Sequence, residues 1–161
     1  MKYLWLTLKH KWFVFLAGIK IKVPIWKLIL HDWTKFLPSE LPHYQCQFFG
    51  KADDPNGFIN AWLHHQNSNK HHWEYWIPRT GHNRCTPPYP DNEPILMPEN
   101  VIREMIADWM GASRAYEGKW PTKDNWKWMD NNLPKILLHI HSKTAILIKQ
   151  ILIYELELLK K

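Results

Sequence analysis

The sequence predicts an all-α fold, a single-domain helical bundle that spans residues 1–161. Apolar residues recur at helical spacing in several segments, and no segment shows the strict alternation of a half-buried strand. Pro24 and Pro98, which suit the first turn of a helix, stand directly before such periodic runs. Because 45% of the 161 residues are apolar, one domain of this length can bury a substantial core.

The elements follow from periodicity and from residues typical of helix ends. These predict helices over residues 2–18, 24–31, 38–49, 57–67, about 98–115 and about 143–160, with a short helix that carries Trp126 and Trp128. Gly18 is the predicted stop of the first helix, and the helix at 57–67 either ends there or continues to Trp76. Residues 77–97 are rich in proline and lack periodicity, and a loop of this length predicts a cover over a site.

Charge and cysteine content restrict the partners and the compartment. A formal charge of +6 favours anionic partners such as nucleotides, phosphate esters or nucleic acid, although scattered lysines are equally typical of solubility charge. Cys46 and Cys85 form no CxxC pair, which indicates a reducing compartment rather than a disulfide framework. The apolar run at residues 12–19 is far shorter than the ~20 residues that span a bilayer. We therefore expect a cytoplasmic protein without a membrane partner.

Polar residues on apolar helix faces are the first candidate metal ligands. His10 lies on the apolar stripe of the first helix, and Asp108 lies on that of the 98–115 helix. His31 and Asp32 directly follow an apolar run and so lie at the edge of the core. A buried carboxylate is costly unless it is paired or bound to a metal. Each residue alone is typical of an ordinary core, but together they predict a site for a divalent ion of Mn, Fe, Co, Ni, Zn or Mg.

A histidine-rich segment at residues 64–72 extends this prediction. If the helix continues through it, His64 and His71 share one face, and His65 and His72 share another. One pair can then enlarge the site to two metals, while the other pair faces solvent. We assign His64 and His71 as the additional ligands, with the choice between the two faces left open.

The ordered pattern His…His-Asp…Asp resembles the HD superfamily of metal-dependent phosphohydrolases over roughly residues 6–116. HDWTK at 31–35 resembles the HDxGK element of its HD-GYP branch, with Thr34 in place of glycine, and LHHQ at 63–66 resembles the HHE element. ADWMGASRAY at 107–116 resembles the stretch that carries the last metal aspartate, but the GYP tripeptide is absent. The chain is also similar to a group of small phage and bacterial proteins of unknown activity that share HDWxKF, AWLHHQ and ADWMGAS.

The resemblance implies an HD-type, metal-dependent phosphohydrolase that acts on a nucleotide or a related phosphate ester. It implies that Asp32 is both a ligand and the group that orients the nucleophilic water, and that Lys35 contacts the substrate phosphate. Arg79, Arg84 and Arg114 are expected to bind the substrate, although the first two are equally typical of a solvated loop.

Two other classes of function stay open at this point. The same scaffold with two irons is a di-iron oxygenase, for which the additional histidines are suitable. A basic, tryptophan-rich chain with a structural metal is a non-catalytic binding protein. Trp33, Trp73 and Trp76 are candidates for stacking a nucleobase, although tryptophan is more often a core residue.

Overall fold

The computed structural model describes residues 2–78, 94–122 and 124–158. Within these ranges every regular element is helical, which confirms the predicted fold class. The α-helices are α1 Lys2–Lys20, α2 Ile25–Leu30, α3 Leu41–Phe49, α4 Pro55–Ser68, α5 Glu99–Glu117, α6 Lys127–Leu137 and α7 Ser142–Leu158. Short 3₁₀-helices at Trp33–Phe36 and Trp73–Trp76 follow α2 and α4. In the described ranges no helix is long and apolar enough to cross a bilayer.

Helices α1 and α5 form the centre of the bundle, and they share the most extensive interface of any pair of elements. Val14 and Gly111 lie at their closest approach, where a Cβ atom on Gly111 would lie only 2.7 Å from the backbone nitrogen of Val14. Glycine at this position therefore allows the two backbones to meet. The approach sets His10 of α1 opposite Asp108 of α5.

Several helix bounds differ from the prediction: α3 begins at Leu41 rather than at residue 38, and α6 begins at Lys127, after Trp126. Two further differences bear on the packing and the site. Helix α1 continues past Gly18 to Lys20, so the predicted stop is wrong. Gly18 is buried against Leu28 of α2, and a side chain there would collide with Leu28; the residue serves helix packing rather than termination. Helix α4 ends at Ser68, so its extension to Trp76 is also wrong. Asn69 adopts an extended conformation, and its side-chain amide donates to the carbonyl of His65.

Candidate metal centre

Four predicted ligands from three elements meet in what we call the first ligand group: His10, His31, Asp32 and Asp108. The Nε2 atom of His10 lies 2.9 Å from Oδ1 of Asp108 and 3.2 Å from Oδ2 of Asp32. The Nε2 atom of His31 lies 3.4 Å and 3.6 Å from the same two oxygens. One ligand atom from each residue lies within 4.8 Å of all the others.

A second ligand group lies on the other side of Asp32 and consists of Asp32, His65, His71 and His72. The Nε2 atoms of His65 and His71 each lie 3.3 Å from Oδ1 of Asp32, whereas the first group faces Oδ2. The two carboxylate oxygens of Asp32 therefore serve different groups. If each group holds a divalent cation, Asp32 would be a ligand that both groups share.

His64 lies outside both ligand groups, contrary to its assignment from the sequence. Its Nδ1 atom is 2.7 Å from Oε1 of Glu40, and 42% of its side chain is exposed. Because α4 ends at Ser68, the helical phase that would align His64 with His71 does not reach His71. His65 is fully buried and faces Asp32 from α4, while His71 reaches Asp32 from the turn beyond the helix.

Several buried polar atoms at the centre make no hydrogen bond within the described part of the chain, and they indicate whether these residues fit a cation. The buried Nε2 atoms without a hydrogen-bond partner among the described residues are those of His10, His31, His65, His71 and His72. Oδ1 of Asp32 is buried and unpartnered as well. Buried polar atoms of this kind are costly unless something satisfies them. Imidazole and carboxylate together are ligands for Mn, Fe, Co, Ni or Zn, so the residues fit one or two divalent cations.

Glu104, which the sequence analysis did not single out, supports histidines of both groups. Its Oε1 atom lies 3.4 Å from Nδ1 of His31 and 3.4 Å from Nδ1 of His71, and Nζ of Lys27 lies 2.9 Å from its Oε2. Burial opposes ionisation, but His31, His71 and Lys27 hold the pKa of Glu104 below its usual value. A carboxylate that accepts a hydrogen bond from Nδ1–H leaves Nε2 free to bind a metal.

Glu40 supports His65 in the same way that Glu104 supports His31 and His71, and the sequence did not predict this role either. Its Oε2 atom lies 3.0 Å from Nδ1 of His65, and its side chain is fully buried. Thr34, which stands where the HDxGK element has glycine, places its hydroxyl 3.1 Å from the same nitrogen. Asn69 donates to this hydroxyl at 2.8 Å, so the residue that ends α4 also belongs to the network around His65.

A sharp turn positions Asp32 beside Lys35. Asp32 has a φ angle of 55°, a left-handed conformation that aspartate tolerates better than most residues. The following 3₁₀-helix places residues three apart almost in line, and Nζ of Lys35 lies 2.6 Å from Oδ2 of Asp32. Burial would raise the pKa of Asp32, but the charges of His31 and Lys35 hold it well below its usual range.

A cavity of about 290 Å³ opens beside the two ligand groups. Its polar lining includes His10, Lys35, His71, His72, Glu74, Asp108 and Glu117. Its aromatic lining consists of Trp62, Trp73, Trp109, Tyr116 and Trp128. Lys35 is the one lysine or arginine among the described residues that line it.

The three arginines predicted to bind substrate have different outcomes. Arg114 does not line the cavity; its guanidinium lies 4.9 Å from the ring centre of Phe13 and donates to the carbonyl of Gly118. Arg79 and Arg84, with most of the proline-rich 77–97 loop, lie outside the described residues. The predicted cover over the site therefore stays a prediction.

Comparison with protein families gives one match. Residues 1–153 match the model of a family described as a family of unknown function, DUF5662. This stretch contains every residue of the two ligand groups and of the cavity. No curated protein and no solved structure matches the chain.

Proposed function

The chain belongs to this family of unknown function, and we propose from the site itself that it is a metal-dependent phosphohydrolase of the HD type. The observation that carries the proposal is the pair of ligand groups joined by Asp32 beside a cavity that Lys35 lines. Divalent cations held there supply Lewis acidity, which makes water a better nucleophile near neutral pH and offsets negative charge on a phosphate.

Lys35 is the proposed phosphate-binding residue. Its ammonium group has three donors and no lone pair, so it is not a metal ligand but can donate to a phosphate oxygen. It lies next to Asp32 and faces the cavity, so a phosphate near the ligand groups is within its reach. In the hydrolysis, the oxygen of water attacks phosphorus and the bond from phosphorus to the ester oxygen breaks. The water gives up one proton, and the departing alkoxide takes up one to leave as the alcohol. Asp32 orients the attacking water.

The aromatic lining of the cavity supports a nucleotide as the substrate. Trp62, Trp73, Trp109 and Trp128 offer flat, apolar surfaces on which a base can stack. Of the three tryptophans that the sequence suggested for this role, Trp73 lines the cavity, Trp76 packs against the hydrophobic core, and Trp33 is 53% exposed. A single lysine in the described lining favours a substrate with few phosphate groups over a triphosphate.

Metal loading followed by a substrate panel tests the proposal. The protein is stripped with a chelator, reloaded separately with Mn²⁺, Co²⁺, Ni²⁺ or Zn²⁺, and analysed for metal content. We expect about two ions per chain and release of phosphate from a nucleoside monophosphate. Asp32→Asn is the matched control, because it removes the residue shared by both groups. A fully loaded protein that releases no phosphate from any nucleotide contradicts the proposal.

A di-iron oxygenase is the second candidate. It is favoured by the number of imidazoles around Asp32 and by an aromatic cavity with little positive charge in its described lining. An iron-loaded protein that consumes oxygen in the presence of an organic substrate, without release of phosphate, supports this function instead. A loaded protein with neither activity supports the non-catalytic binding protein.

A further inference from the structure

The outer face of α1 is apolar although it faces solvent. Trp5, Leu8, Trp12 and Ile19 are 71%, 43%, 57% and 50% exposed. At 3.6 residues per turn these four positions fall on one stripe along the helix. The opposite side of α1 packs into the bundle through Val14 and Ala17, so the stripe is not part of the core.

Helix α2 and the turn after it extend this apolar surface. The side chains concerned are 53–63% exposed and are those of Ile25, Trp26, Ile29, Leu30 and Trp33. Lys11 of α1 donates to the carbonyls of Ile29 and His31, so the end of α2 lies alongside α1 next to the stripe. We call these exposed residues of α1, α2 and the turn the N-terminal apolar face. An exposed apolar surface of this extent marks an interaction site.

The charge around the N-terminal apolar face is strongly positive. Residues 2–36 contain seven lysines and one carboxylate, Asp32, which is fully buried. The exposed lysines among them are Lys2, Lys9, Lys20 and Lys22. A second copy of the chain would bring lysines against lysines on this face, which disfavours self-association. The complementary partner is therefore anionic.

We propose that the N-terminal apolar face binds the anionic surface of a lipid bilayer, with α1 and α2 lying in the interface. Tryptophan is enriched where headgroups meet the acyl chains, because its ring is apolar and its N–H is polar. Each lysine near an anionic surface strengthens binding by about fivefold. A helix that lies on the bilayer needs no spanning length, so the proposal revises our expectation of no membrane partner.

The metal centre remains accessible in this orientation. His10 lies on α1 about half a turn away from the stripe at 3.6 residues per turn, and it faces α5 and the cavity. The stripe of α1 and the cavity are therefore on opposite sides of this helix. Membrane binding does not depend on the proposed hydrolysis, and the two can be tested separately.

Vesicle flotation with the full chain tests the proposal. We expect the protein to float with phosphatidylcholine vesicles that contain phosphatidylglycerol, and on the order of several hundredfold less with phosphatidylcholine alone, because the attraction of four exposed lysines at about fivefold each is lost. Trp12→Ser should weaken binding to the anionic vesicles, because it removes a large apolar side chain from the stripe. Leu138→Ala at the end of α6 is its control, since Leu138 is 82% exposed and not part of the face.

A matched pair of charge variants separates this face from nonspecific attraction. Lys2→Gln with Lys22→Gln should reduce binding on the order of tenfold, whereas Lys127→Gln with Lys135→Gln on α6 should not, although the net charge changes equally. An equal loss in both pairs overturns the proposal, and so does failure of the wild-type chain to float. A solution dimer that Trp12→Ser disrupts also overturns it, because the face is then an interface between copies. Circular dichroism and metal content confirm that each variant folds.

Discussion

At the scale of single residues, Asp32 is the one residue that belongs to both ligand groups. Its left-handed backbone conformation aims one oxygen at His10 and His31 and the other at His65 and His71. A residue held in a sparsely populated conformation at such a point is typical of a functional site, where surrounding contacts compensate the strain. The two ligand groups are therefore expected to lose or retain metal independently, except where Asp32 or the shared supporting carboxylate Glu104 is changed.

The adjacent histidines of α4 offer a direct test of the second ligand group. His65→Ala should lower the metal content from about two ions per chain to about one, because His65 faces Asp32 with an unpartnered Nε2 atom. His64→Ala should leave the content unchanged, since His64 faces Glu40 and solvent. Elemental analysis of both variants measures the difference. Equal metal content in the two variants would contradict the second group.

Glu104 is expected to act on the metals through His31 and His71. Glu104→Gln removes the negative charge that holds the Nδ1 protons of both rings, so metal affinity should fall about 10–100-fold. Saturating metal should still restore the full content, because the ligand atoms themselves remain. Competition with a metallochromic chelator measures the affinity. Glu99→Gln on the same helix is the control, since the described ion pair of Glu99 is with Arg103, which belongs to neither ligand group. An unchanged affinity in Glu104→Gln would show that the contact only supports the fold.

Lys35 separates substrate binding from metal binding. Lys35→Met should leave the metal content intact, because an ammonium group is not a ligand. Turnover of the nucleotide that is hydrolysed should fall on the order of 10²–10³, the effect of losing one electrostatic donor to the transition state. The variant is compared with wild type at saturating metal, by single-turnover kinetics and elemental analysis. Wild-type turnover would leave Lys35 as a structural partner of Asp32 alone.

At the scale of the elements, the sequence predicts those ligands that lie on regular helices or directly after them. His10 and Asp108 stand on apolar stripes of long unbroken helices, and the structure brings them together. Helical phase carries no information beyond Ser68, which is why His64 rather than His65 was assigned as the partner of His71. Asn69 was the available signal for that break, because asparagine often ends a helix.

The supporting carboxylates were harder to find for a different reason. A glutamate on a helix usually faces solvent, and nothing in the spacing of Glu40 distinguishes it from such a residue. Glu104 did carry a signal, since it stands one turn before Asp108 on the same face of α5. A second acidic residue on an apolar stripe therefore indicates a site residue as much as the first does.

The interface of α1 and α5 links packing to the metal centre. Gly111→Ala places a methyl group against the backbone of Val14, so the helices must separate. We expect a loss of stability of about 1–3 kcal/mol together with weaker metal binding, because His10 and Asp108 move apart. Thermal unfolding and metal titration measure the two effects. Gly18→Ala meets only the flexible side chain of Leu28 and should have the smaller effect on metal affinity. Equal effects of both variants would contradict this link.

For the whole molecule, metal binding and folding are coupled because the ligands come from separate parts of the chain. Helices α1, α4 and α5 and the turns after α2 and α4 each contribute residues to the two ligand groups. An ion that binds only the folded arrangement stabilises it by mass action. Protons compete for the same atoms, so the size of this stabilisation depends on pH.

The metal-free protein is therefore expected to lose stability as the pH rises above 6.5. Burial lowers the pKa values of His10, His31 and His71, but the nearby carboxylates outweigh it and leave them above their ordinary value of 6.5. A raised histidine pKa contributes stability that is complete below 6.5 and is lost as the pH rises through the folded-state value. Asp32 and Asp108, whose pKa values are lowered, keep their contribution across this range and lose it only in acid.

Added Mn²⁺ replaces the lost protons, so the increase in Tm that it produces should be greater at about pH 8 than at about pH 6. Thermal unfolding with chelator and with Mn²⁺ measures this, and an increase that does not depend on pH would exclude these histidines as ligands.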